Sequence, residues 1–98
     1  MTRATILQLR DEYAAILDHA GAVAEHIYDT RHVVRALEDQ QMMLNHARWV
    51  CDEILRQIDN LGGQQLCVRY LGILQAFLVV YGLVTIQQTR ARLDEFCW

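Results

Sequence analysis

From Tyr70 to Thr89 the chain carries no charged residue and no histidine, and Leu66, Cys67 and Val68 extend the apolar run upstream. A segment that is apolar on nearly every side has to be surrounded. Ninety-eight residues offer little to surround it with, because a chain of this size buries only a modest fraction of its surface. Association with a second copy or with a partner is the strongest inference the run allows.

Composition narrows the fold class. The chain has no proline, no serine and only five glycines, so turn and strand punctuation is scarce. All nine basic residues are arginines, and the net charge of −3 argues against a general nucleic-acid binder, which presents a basic face. Three cysteines (Cys51, Cys67 and Cys97) sit in apolar helical patterns without C-x-x-C spacing, as expected of reduced thiols in a cytoplasmic protein. The first dozen residues lack the apolar core of a signal peptide.

Periodicity divides the chain into three segments. Ile6, Leu9, Tyr13, Ile16, Ala20, Val23 and Ile27 follow a 3,4 spacing, with Thr2 or Thr5 available as a cap. Gly21 either weakens this helix or marks a close helix approach. A second stripe runs through Val33, Leu37, Gln40, Leu44, Ala47, Cys51, Ile54, Ile58 and Leu61. The step of six from Ile27 to Val33 breaks the phase near Tyr28–Thr30, where Asp29 or Thr30 caps a new helix. Asn60-Leu61-Gly62-Gly63 is the clearest boundary. The third segment holds the charge-free run. Its β-branched residues suit a buried strand, but no second strand is there to pair with it, so helix is the expectation. The reading is a single all-α domain, a three-helix antiparallel unit with helices at about 3–28, 30–60 and 64–95, completed into a larger bundle by oligomerisation. Phe96-Cys97-Trp98 then either docks on the bundle or is the cut end of a longer domain.

A membrane span is the first rival for the third helix. Of the 21 residues Leu66–Ile86, 16 are apolar, and such a helix reaches about 31 Å. Gln75, Arg69 and the two soluble-type amphipathic helices before it speak against insertion. If the helix is soluble, two neighbours leave about 300 Å² of it uncovered, and a two-fold dimer is the favoured cover. Gly72, Gln75, Val79 and Gly82 fall within an arc of about 80° at 100° per residue. Two glycines allow close backbone approach, and a buried glutamine needs a partner, so this stripe is the expected helix–helix contact or interface.

Catalytic and metal chemistry find little support. His19 and His26 are two turns apart on one helical face, about 10.5 Å along the axis and too far to share a metal. Asp29 and His32 have the i, i+3 spacing of bundle metal pairs, without the second pair. His46 stands alone. No metal or cofactor is expected. Arg31, His32, Arg35 and Arg48 are the candidates for holding an anion, although Glu38 and Asp39 lie at salt-bridge spacing from the first cluster. The acidic doublets, such as Asp52-Glu53, read as solvated edges. Serine nucleophiles are absent, and Gly62-Gly63 lacks the lysine of a phosphate loop.

The run Arg69-Tyr-Leu-Gly-Ile-Leu-Gln-Ala-Phe-Leu-Val-Val80 resembles a helix of some HEPN-like all-α domains over about a dozen residues. The ribonucleases of that superfamily carry Arg-x4-6-His, and no arginine here has a histidine five to seven positions later. The resemblance implies a helical fold without the ribonuclease motif. The functional expectation is a small non-enzymatic binding or regulatory protein (an inhibitor, an antitoxin-like partner or an adaptor) that works by protein–protein association. Its alternatives are a receptor holding an anionic or nucleotide-like ligand at a protomer interface and, third, a membrane-inserted protein.

Overall fold

Four helices follow one another in the computed structural model, which describes residues 1–26 and 39–95: α1 (Arg3–His19), α2 (Gln40–Gln57), α3 (Gly63–Val80) and α4 (Ile86–Glu95). The all-α expectation holds. Among the described residues there is no strand, and the charge-free run is helical up to Val80.

The first three helices pack on one another as an up–down–up unit. Ion pairs along the α1–α2 seam set its direction: Arg3 meets Asp59, Arg10 meets Asp52, and Arg48 meets Asp18. Rising numbers on α1 match falling numbers on α2, so these two are antiparallel. The short connection from Ile58 to Gly62 reverses the chain again into α3. Between them lies one core, with Ile6, Leu9, Tyr13 and Leu17 from α1, Leu44, Ala47, Cys51, Ile54 and Ile58 around α2, and Cys67, Leu71, Leu74 and Leu78 from α3. The second stripe of the sequence is thus the buried face of α2 from Leu44 to Ile58, while Leu61 at its end is fully exposed.

The expected helix bounds shorten, each for a local reason. Thr2 caps α1, its hydroxyl accepting from the Thr5 amide at 3.2 Å. Instead of running to residue 28, α1 stops at His19. Gly21 takes φ +85°, which lets its amide reach Asp18 O at 3.0 Å and the Ala22 amide reach Leu17 O at 3.0 Å. This is a complete Schellman stop. Val23 consequently leaves the stripe and is 70% exposed. Residues 22–26 have no regular structure and lie beside α2, where the Val23 amide donates to Asn45 Oδ1 and the Glu25 amide to Asn45 O.

At the start of α2, Asp39 has a non-helical backbone and accepts from the Met42 amide at 3.1 Å, so the second helix begins at residue 40 rather than 30. The expected phase break at 28–30 lies outside the described residues. The third expected helix divides in two. Gly82, at φ +75°, repeats the stop of Gly21: its amide reaches Val79 O at 3.1 Å, and the Leu83 amide reaches Leu78 O at 2.8 Å. Thr85 and Gln88 then open α4 with a reciprocal capping box, 3.0 Å from the Gln88 amide to Thr85 Oγ1 and 2.8 Å from the Thr85 amide to Gln88 Oε1.

Candidate functional site

The α3 helix presents two apolar faces. Cys67, Leu71, Leu74 and Leu78 recur at four, three and four residues and are buried against α1 and α2. On the opposite side Arg69, Gly72, Ile73, Ala76 and Val80 are all exposed. Ile73 and Val80 keep 42% and 74% of their surfaces in solvent, which is unusual for large apolar residues about two turns apart on a common stripe. The helix is also long and apolar enough to cross a membrane by length and composition, with a mean hydropathy of 1.2 and 28% of its residues buried.

Beside this face stands α4, which from Ile86 to Leu93 contributes no buried residue of its own. Arg92 ties it to α1, donating to both carboxylate oxygens of Glu12 at 2.9 and 2.6 Å. On either side of α4 lies an open groove. One, of about 650 Å³, runs between α3 and α4 past Gly72, Ala76, Val79 and Leu93, with Arg90 on its rim. The other, of about 540 Å³, lies between α1 and α4 past Tyr13, Ile16, Leu83 and Val84.

The four residues expected to form the packing stripe separate. Gln75 is half-buried and turned toward α1, donating from Nε2 to the Tyr13 hydroxyl at 2.8 Å. The partner that a buried glutamine requires is therefore supplied within the chain. Burial pushes the Tyr13 pKa up, against the opposing pull of this hydrogen bond. Gly72 and Val79 line the α3–α4 groove, and nothing lies within 4 Å of where a Gly72 side chain would begin. Gly82 lies beyond the helix, in the turn that ends it. Ile73, Ala76 and Val80, which carry most of the exposed face, were not singled out by the stripe. Their spacing of three and four from Arg69 was the available signal.

Of the candidate anion ligands, Arg31, His32 and Arg35 lie outside the described residues. Arg48 is committed to the α1–α2 seam, donating to Asp18 at 2.7 Å and Asp52 at 2.8 Å. Burial works against its charge, and these two carboxylates outweigh that, holding the guanidinium pKa above its ordinary value. Arg10 shares Asp52 at 3.2 Å and also donates to Cys51 O at 3.0 Å. Asp52 and Glu53 are accordingly not a solvated edge, since their side chains are only 35% and 13% exposed and both are ion-paired.

The histidines also rearrange. Because α1 ends at His19, His19 and His26 share no helical face. His26 instead lies 5.3 Å from His46 and meets the edge of Trp49 at 4.1 Å, while His46 stacks on Trp49 at 5.6 Å and nears Phe77 of α3. Arg56 covers the Trp49 ring at 5.4 Å. Among the described residues no three histidine, cysteine or acidic side chains are placed to hold a metal. The Cys51 thiol is pushed up to about 11, chiefly by burial, and Cys67 is raised for the same reason. No protein-family model matches the chain, and neither a curated protein nor a solved structure is significantly similar to it.

Proposed function

We propose that this chain is a small, non-enzymatic, cytoplasmic binding protein that acts through protein–protein association, using the outer face of α3 and the groove beside α4. The observation that carries the reading is the exposed stripe Gly72, Ile73, Ala76 and Val80, opposite a helix face that is already buried. A helix apolar on both sides is more than a three-helix unit can cover. Regulatory subunit, inhibitor, antitoxin-like partner and adaptor are all roles for such a face. Two further features support the reading. The free Cys51 and Cys67 sit in the core with raised thiol pKa values, a poor setting for nucleophiles and a good one for a reducing compartment. Arg48 spends its donors on structural carboxylates.

The test compares the native chain with an Ile73→Asp, Val80→Asp double variant by light scattering after size exclusion and by pull-down from the native host. Loss of association in the variant, with unchanged far-UV circular dichroism, is the expected result. A native chain that stays monomeric up to about 200 μM and recovers no partner overturns the reading.

A further inference from the structure

We propose that the outer face of α3 seats a second copy of this chain. The two α3 helices lie antiparallel about a two-fold axis near Gln75 and Ala76, and each Arg69 is set over the C-terminal end of the other's α3. The inference rests on the association reading above and names its partner.

Charge selects the arrangement. Arg69 is the only charged residue of α3, is exposed, and makes no ion pair among the described residues. The helix has no acidic residue in its first turn and no basic residue in its last. Its C-terminal end thus carries the negative end of the macrodipole with no cation of its own. With the axis near residues 75–76, Arg69 falls opposite Tyr81–Leu83 of the second copy, where that cation is missing. The two Arg69 side chains are then about 20 Å apart along the axis, beyond screening distance. A parallel pairing would instead set Arg69 against Arg69 and align the two dipoles.

Shape agrees with charge. Gly72 and Ala76 lie one turn apart and expose little side chain, so two backbones can approach to about 8 Å there. Ile73 and Val80 flank them as apolar knobs, and the α3–α4 groove is open along the same edge. The outer face of α3 is about 27 Å by 10 Å. With the near side of α4 added, the two copies bury on the order of 800 Å², below the standard size of stable interfaces. The dimer is therefore weak and dependent on concentration.

Sedimentation velocity from about 1 to about 200 μM spans the affinity range such an area supports. The mass is expected to rise from the 11.4 kDa monomer toward twice that value. Ala76→Arg is expected to raise the dissociation constant at least about tenfold, and Arg69→Glu by a smaller, salt-sensitive factor. Ala76→Cys and Arg69→Cys, each in a Cys97→Ala background, give a readout that tolerates a poorly folding arginine variant. Residue 76 near the axis forms a disulfide with its own copy under mild oxidation, and residue 69 does not. Cross-linking at both positions means a parallel pair and overturns the inference. A monomer at every concentration that still loses a host partner on Ile73→Asp overturns self-pairing and leaves the association reading standing. A monomer that recovers no host partner, or that sediments with phosphatidylcholine–phosphatidylglycerol vesicles, overturns both.

Discussion

Gln75 of α3 donates to the Tyr13 hydroxyl of α1 across 2.8 Å, which turns the one amide in the middle of the apolar helix inward and leaves the outer side from Gly72 to Val80 without a polar group. Tyr13 is 6% exposed, so its hydroxyl has little access to water as a substitute. Tyr13→Phe and Gln75→Leu are each expected to cost about 1 kcal/mol, and the double variant less than their sum, because each single change strands the other polar group. Urea midpoints of the four proteins check this. Strict additivity would mean that the bond contributes nothing.

Asp52 is the shared acceptor of Arg10 and Arg48, whose side chains are 12% and 18% exposed. Asp52→Ala is expected to cost about 1–2 kcal/mol, since both guanidinium groups keep a second acid (Asp11 and Asp18) but lose the inner one. Asp52→Asn retains an acceptor and should recover part of the loss. Chemical denaturation at low and high salt separates the two, as these partly buried pairs are screened less than surface ones.

Below neutrality the His46 site should weaken the fold. Burial, helped by the nearby His26 charge, lowers its pKa from 6.5. The unfolded chain therefore takes up the proton first, and stability falls as pH drops from about 6.5 through the folded value. Trp49 and Phe77 stand against the imidazole, Arg56 covers the Trp49 ring, and Glu53 couples to the neighbouring His26. The depressed Glu53 carboxyl loses its own contribution only below its ordinary value of 4.5, so the window above about 5 reports the imidazole. Urea midpoints at pH 7.5 and 5.5 should differ in the native chain and converge in His46→Gln.

Glu12→Gln should loosen α4 without unfolding the bundle. The Glu12–Arg92 side chains are 41% and 26% exposed, so global stability is expected to change by less than about 1 kcal/mol. Amide exchange should quicken from Ile86 to Leu93, because no residue there is buried to hold the helix once the clamp is gone. Exchange unchanged in α4 would show that the pair does not fasten it.

Much of this fold was legible in the sequence. The Leu44–Ile58 stripe is the buried face of α2 because five residues at 4,3 spacing can face one core only as a helix. The first stripe was right through Tyr13 and then drifted, the core taking Leu17 while Ile16 stays half-buried. A 3.5-residue repeat falls behind a 3.6-residue helix within a few turns. Helix ends were harder. Hydropathy continues unbroken through Gly82, and only the left-handed backbone of that residue and the Thr85–Gln88 box reveal the stop. Arg48 was misleading because Asp18, thirty residues away, is invisible to local spacing, although Asp52 at i+4 was not.

The two Schellman stops have a consequence for how the bundle is measured out. Since α1 and α3 run in the same direction, Gly21 and Gly82 close both helices at one end of the molecule. Its height there is metered by two achiral residues rather than by the supply of apolar side chains. Adding hydrophobic residues past either glycine would leave the bundle no taller, whereas exchanging the pair for alanine would remove the stops that hold both helices to their present length.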